Sequence, residues 1–502
     1  MTQLKFPKSL APALKAKHVA LFVAHKQAKA AVKTVFSGEA AKALQRALAD
    51  AKPGRMGTVI STLTPSGALH KASVAILPDE VSRHNAPSRS HAINHCAGKL
   101  GLGSGDAAAV LWLEKAEHLA PAANAVARSV PEVSYTTNGN GGEKKKGKKK
   151  KKKAETLVLV GLDRRGMVVN PTPEVVTTCE ATRWAAGLVD TPTADMDAAA
   201  FVTAAKKAVQ GVAGVKATVI VGDELLKKGL GGIHAVGRTA VVAPRLLILD
   251  YKPSKKAQRT VAFVGKGVVY DTGGLSLKGS GNMPGMKCDM GGAAAVTGAF
   301  VALAKQKVAH RVICLVPLAE NAIGPNSYRP DDIITMHSKK TVEINNTDAE
   351  GRLLLADGVS YAARTYKPEV VIDAATLTGA QLVSTGKKHA AVVSNRAGLE
   401  GLAVSAGLAS GDLTHPLPFA PEFFQAEFKS EIADMKNSVK DRANAQSSCA
   451  GQFVYSHMAD TKLPWLHVDL AGPAFPGRRG SGFGVALLGE LVRSLSAKHL
   501  KA

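Results

Sequence analysis

Short runs of β-branched and aliphatic residues alternate along most of this chain with alanine-rich stretches of helical length. That alternation narrows the possible fold more than any other feature. Strands are expected at Thr156–Leu162, Ala217–Val221, Arg245–Tyr251, Thr260–Val264, Arg311–Val316 and Val370–Ala374. Helices are expected over Ala198–Val212 and Gly291–Lys307. Most of the runs are apolar throughout instead of alternating with polar residues, as in strands covered on both faces. The pattern predicts an α/β protein: a small N-terminal α/β domain and a larger C-terminal α/β domain with a mixed central sheet flanked by helices. We place the first at 1–170, with His18–Ala24 as its first strand, a linker helix within 171–192 near Pro173–Val189, and the second at 193–502. At 502 residues the chain is long enough for large cores. It holds no apolar run of the roughly 20 residues that a membrane span requires.

The formal charge of +25 would suit a polyanion binder if it were spread evenly, but it is concentrated. Nine of the ten residues at 144–153 are lysine, and the first 38 residues carry seven more and no acid. The run at 138–154 opens on N-G-N-G-G, cannot bury apolar area and repels itself, so it reads as a mobile loop. Its functional reading is a nucleic-acid-binding, polyanion-binding or nuclear-targeting segment through Lys144–Lys153. Its plain reading is a solvated loop, and no aromatic residue is interleaved for base stacking. The five cysteines form no framework, which fits reduced thiols in the cytoplasm. The lysine-rich amino terminus lacks the arginines of an organelle transit peptide and the apolar core of a secretory signal.

Two segments carry the chemistry, and each begins where an apolar strand ends, the place where open α/β sheets put ligands. Residues 346–353 read N-T-D-A-E-G-R-L; in an extended segment Asp348, Glu350 and Arg352 would form one row. Residues 264–292 read V-G-K-G-V-V-Y-D-T-G-G-L-S-L-K-G-S-G-N-M-P-G-M-K-C-D-M-G-G and contain Lys266, Asp271, Lys278 and Asp289. Singly these residues have ordinary explanations: Asp271 as a turn residue, Lys278 as a solvated lysine, Asp348 and Glu350 as an exposed acidic loop. Together they describe a site for hard cations. Carboxylates suit Mg²⁺ or Mn²⁺ and also serve Zn²⁺ in hydrolases. Asp271, Asp289, Asp348 and Glu350 exceed what one divalent ion needs, whereas two ions about 3.5–4 Å apart would use all four. The chain has no H-E-x-x-H, no C-x-x-C and no phosphate-binding G-x-x-x-x-G-K-[ST].

The two motifs, in this order and separation, resemble the signatures of the leucine aminopeptidase (cytosol aminopeptidase) family of two-metal peptidases. The likeness spans roughly 180–490 and takes in A-T-L-T-G-A at 375–380 and H-V-D-L-A-G-P at 467–473. The resemblance implies a metal-dependent leucyl aminopeptidase that releases amino-terminal residues from peptides, leucine preferred. It implies two divalent ions per subunit, zinc or manganese, with cobalt or magnesium as further candidates. One would be held by Asp271, Asp348 and Glu350, the other by Lys266, Asp271, Asp289 and Glu350, with Lys266 as an unusual neutral nitrogen ligand. Lys278 would stabilise the oxyanion, and Arg352 would hold a bicarbonate ion acting as general base. Met286, Thr376, Leu377, Thr378 and Gly379 would line the substrate pocket. It further implies a homohexamer whose variable amino-terminal domain here departs from the family pattern in its lysine-rich insertion. The bland reading of Met286 and Leu377 as core residues stays open beside these roles.

Overall fold

A computed structural model of the chain describes residues 2–64, 69–103, 105–134 and 155–501. The lysine run at 138–154, with the polyanion-binding reading attached to it, lies outside the described residues. The chain divides into two units, Met1–Arg183 and Trp184–Ala502. The division falls inside the helix Pro173–Asp190.

The first unit is built on β1 (Gln3–Lys5), β2 (His18–Ala24), β3 (Thr58–Leu63), β4 (Lys71–Leu77), β5 (Asp106–Trp112), β6 (Thr156–Leu162) and β7 (Val168–Val169). They form one sheet in the order β1-β6-β5-β2-β4-β3, with β7 beside β6. All pairs from β1 to β4 along that order are parallel, and β3 closes the edge antiparallel to β4. Continuous apolarity follows from this position. Along β2, Ala20 and Phe22 pack into one core while Val19, Leu21 and Val23 pack into another on the opposite face. The first strand is Gln3–Lys5 and not His18–Ala24. Three residues on a sheet edge, only one of them apolar, carry too little pattern to be read.

The second unit contributes β8 (Val215–Val221), β9 (Arg245–Tyr251), β10 (Thr260–Gly265), β11 (Gly267–Asp271), β12 (Arg311–Asn321) and β13 (Ile333–Thr335). It continues with β14 (Thr341–Glu343), β15 (Val370–Ala375), β16 (Ala390–Ser394), β17 (Thr414–Pro416), β18 (Met435–Lys436) and β19 (Trp465–Asp469). The main sheet runs β17-β16-β19-β15-β10-β12-β9-β8, with β11 beside β12, and β13-β14-β18 form a small separate sheet. The centre, β19-β15-β10-β12, is parallel, while β16, β9 and β8 join antiparallel, so the sheet is mixed. The helix Gly291–Lys305 is buried along every residue except Lys305, and for that reason has no polar face. It ends two residues short of the expected Lys307, whose backbone is left-handed at φ 56°. The other expected helix stops at Ala208 and not Val212.

Between β15 and β19 a buried acid staples the strands: Asp373 Oδ1 lies 2.5 Å from His467 Nδ1, and Asp373 Oδ2 accepts the Trp465 indole N–H at 2.7 Å. The parallel strands β10, β15 and β19, together with β11, deliver the chain to one edge. Lys266, Asp271, Thr376 and Asp469 stand at their carboxyl ends. No helix among the described residues is long and apolar enough to cross a membrane.

Candidate metal centre

Lys266 occupies the one-residue break between β10 and β11. Its backbone is pinned on both sides, its N–H donating to Ala374 O at 3.0 Å and its carbonyl accepting from Ala293 at 2.8 Å. The buried side chain has one way to go, and its amine ends 2.8 Å from Asp289 Oδ2 and 3.0 Å from Glu350 Oε1. It also donates to the Thr376 carbonyl at 3.0 Å. Asp289, just after the turn Met286–Cys288, presents its other oxygen to Thr376 Oγ1 at 2.9 Å.

Asp271 ends β11 and enters a turn that Gly273 and Gly274 make possible, with φ of 87° and 62°. Its Oδ1 accepts from Gly273 N–H and from Asn321 Nδ2, both at 2.8 Å. Its Oδ2 lies 2.7 Å from Lys278 Nζ, which lies 2.5 Å from Asp348 Oδ1.

The octapeptide is not extended, and the expected row of Asp348, Glu350 and Arg352 does not exist. Asn346 Oδ1 accepts from Asp348 N–H at 2.9 Å, a side-chain turn that folds the chain back. Glu350 then takes helical angles at the N-cap of the helix Gly351–Tyr361, with Arg352 in its first turn. The turn, and not strand alternation, brings the acids together: one carboxylate oxygen from each of Asp271, Asp348 and Glu350 lies within 4.8 Å of the others. Thr347 sews this turn to the Asp271 loop, since its hydroxyl donates to Gly273 O at 2.6 Å and accepts from Ser276 N–H at 2.7 Å.

The electrostatics ask for more positive charge than the protein supplies. Burial, then the charge on Asp271, pushes Glu350 up to about 8 despite the Lys266 amine beside it. Burial pushes Asp289 up to about 6, and burial with Asp271 raises Asp348. Conversely, burial pulls Lys266 down but Asp289, Glu350 and Asp271 together lift it above an ordinary lysine. Lys266 can offer a lone pair only when another cation neutralises those acids. One Glu350 oxygen, Oε2, is fully buried without any hydrogen-bond donor. A carboxylate oxygen left bare among three further acids fits a divalent cation, and a donor set of carboxylate oxygens with one amine suits Mn²⁺, Mg²⁺ or Zn²⁺.

Arg352 is buried behind this cluster. Its Nη1 donates to the Asn437 carbonyl at 3.0 Å, its Nε has no partner, and burial pulls it down to about 10. The turn 376–379 leads from β15 into the helix Gly379–Ser384. Its two hydroxyls already serve the protein, Thr376 on Asp289 and Thr378 on Asp469 Oδ2 at 2.7 Å, where Thr378 also caps the helix. What this turn leaves for a ligand is the half-buried Leu377 side chain and the exposed Gly379 backbone. Met286 stands half-buried, its carbonyl accepting from Asp289 N–H at 3.2 Å.

Sequence reading missed the uncharged residues that aim the acids. Asn321 joins Asp271 to the Thr347 carbonyl, which also accepts the Tyr328 hydroxyl at 2.6 Å. An asparagine closing the apolar run of β12 was the available signal. Asp469 fixes the 376–379 turn through Thr378 Oγ1 and Leu377 N–H.

Comparison with known proteins bears on this geometry. Residues 183–489 match the catalytic domain of the cytosol aminopeptidase family, and residues 24–139 match the M17 aminopeptidase N-terminal domain 2. The chain is 45% identical to "Probable aminopeptidase NPEPL1" of Mus musculus over 436 residues, 86% of this chain and 82% of that one. It resembles the leucyl aminopeptidase structure from Trypanosoma cruzi with a TM-score of 0.88 at 36% identity, covering 99% of this chain and 97% of that one. It also resembles the bottromycin maturation enzyme BotP in complex with Mn, with a TM-score of 0.75 at 27% identity, over 95% and 99% of the two chains.

Proposed function

Since the chain belongs to the cytosol aminopeptidase family, and is therefore a hydrolytic aminopeptidase, we propose that it is a leucyl aminopeptidase dependent on two divalent ions. The observation that carries this reading is the cluster of four carboxylates, three buried and Asp348 half-buried, with only two lysines among them and a bare Glu350 oxygen. Asp271, Asp348 and Glu350 would hold one ion, and Lys266, Asp271, Asp289 and Glu350 the other. When bound, two such ions acidify water at neutral pH and draw charge from the scissile carbonyl.

The protein's own groups do the rest. Lys278, fixed between Asp271 and Asp348, is a cation in a poorly hydrated site and stabilises the oxyanion as the carbonyl carbon becomes tetrahedral. Arg352, with a free and buried Nε–H, would hold a bicarbonate ion, which would supply a general base beside the attacking water. Leu377 supplies apolar surface for a leucine-like side chain. A free amino group carries a lone pair and fits among acids and cations, whereas an acylated one does not, and this confines cleavage to the first residue. We extend the proposal to a cytoplasmic homohexamer; five unpaired cysteines support the reducing compartment.

Hydrolysis of a leucine arylamide by the purified chain tests the reading. Leucine arylamide is expected to be cleaved faster than the alanine or glutamate arylamide, and the N-acetylated leucine substrate to be rejected by at least about 10²-fold. Equal cleavage of the acetylated substrate would remove the exopeptidase assignment.

A further inference from the structure

The loop that carries Asp348 and Glu350 is held from one side by Thr347, Asn321 and Tyr328. From the other it is held by a side chain 88 residues further on, that of Asn437. The small sheet puts it there. β18 pairs in parallel with β14, Glu343 opposite Lys436, and the Asn437 N–H continues the ladder to Glu343 O at 3.0 Å. Two residues beyond β14 the ligand loop begins, so Asn437 lies alongside it, fully buried.

Its amide is used at both ends. Oδ1 accepts from the N–H groups of Asn345 at 2.9 Å and Asn346 at 3.2 Å. Nδ2 donates to the carbonyls of Asn346 at 2.6 Å and Ala349 at 3.3 Å. The backbone carbonyl of the same residue accepts Arg352 Nη1. Next to it, Asn345 and Ser438 exchange a reciprocal pair, Ser438 N–H to Asn345 Oδ1 at 2.9 Å and Asn345 Nδ2 to Ser438 O at 3.3 Å.

Resting on the two-ion reading above, we propose that Asn437 is a positioning residue of the metal centre: its side chain fixes the Asn345–Ala349 loop that aims Asp348 and Glu350, and its carbonyl fixes Arg352. The role requires an amide. A carboxylate would keep the two acceptor contacts but would repel the two carbonyls that Nδ2 now satisfies, and would add another acid beside the cluster. An alanine would leave two N–H groups and two carbonyls without this partner.

The test is equilibrium dialysis of Mn²⁺ and Zn²⁺ into full-length wild type, Asn437→Ala, Asn437→Asp and Phe300→Leu, with circular dichroism and thermal melts alongside. Phe300 is a core residue of the helix Gly291–Lys305 and serves as a destabilised control. Both Asn437 variants are expected to bind the ions about 10–100-fold more weakly, the range for groups that orient metal ligands, while the control binds as wild type does. If Asn437→Ala does not fold, Asn437→Asp, which retains the contacts to Asn345 and Asn346 N–H, decides alone. Folded Asn437 variants with wild-type affinity, or a control weakened to the same degree, would overturn the inference and leave the two-ion reading standing. A wild-type chain that takes up neither ion would overturn both.

Discussion

Lys278→Ala is expected to lower kcat on leucine arylamide by about 10²–10³-fold, the loss seen when one preorganised donor to a developing oxyanion is removed. The side chain is mostly buried, which pulls its amine down, but Asp271, Glu350 and Asp348 around it raise it above an ordinary lysine. Among the described residues, no other lysine or arginine pairs with Asp271 or Asp348. Asp348→Asn is expected to lose at least as much by a second route, since it removes one of the acids that surround the bare Glu350 oxygen. Metal binding separates the two variants, being retained in Lys278→Ala and weakened in Asp348→Asn. Steady-state kinetics with dialysis of Mn²⁺ checks both, and near-normal turnover by either variant removes the role given to that residue.

A single methyl group at position 351 is expected to be almost as damaging. A Cβ built on Gly351 would stand 2.3 Å from Lys266 Cε, 2.5 Å from Nζ and 2.6 Å from Cδ. Flexible side chains usually yield to such an intrusion, but this one cannot. Its amine is bound by Asp289, Glu350 and Thr376 O, and its backbone by Ala374 and Ala293. Gly351→Ala must therefore either expel the amine from between the two acids or shift the start of the helix that carries Glu350 and Arg352. Overpacking of this kind costs about 1–3 kcal/mol, which a domain of this size survives. The expected result is a folded protein with at least about 10-fold weaker metal affinity and a parallel fall in kcat, measured by dialysis and kinetics on the same samples. Unchanged affinity would mean that Lys266 has room elsewhere and is no ligand.

Gly351 also marks where reading the sequence ran out. The octapeptide revealed its acids at once, because two carboxylates and a guanidinium so close together demand a counter-charge. Its shape was misjudged: Asn346 turns the chain and a helix starts at Gly351, so the acids meet through a turn. The value of the glycine depends on a lysine 85 positions earlier, and that of Asn437 on a strand pairing between β14 and β18. Neither leaves a local pattern. Buried strands were the most legible elements, since apolarity on both faces is written in every residue; β6 and β9 match their expected limits to the residue. β12 runs on through Pro317 to Asn321, past the expected end at Val316. Its pairing with β10 stops at Leu315 and that with β11 starts at Leu318, so the missing proline N–H falls in the gap between two partners. Asn321, which aims Asp271, belongs to the part of the strand beyond that expected end.

Central to the proposed function is that the four acids hold two divalent ions. The most direct measurement strips the chain with a chelator, restores Mn²⁺ or Zn²⁺ in increments, and counts ions per chain by elemental mass spectrometry while following leucine arylamide hydrolysis. The account predicts no hydrolysis by the stripped chain, saturation at two ions per chain, and activity that returns as they bind. It also predicts that Glu350→Gln, which alters an acid shared by both sites, binds both ions more weakly. Hydrolysis that survives complete stripping, or saturation below two ions per chain in an active sample, would contradict it.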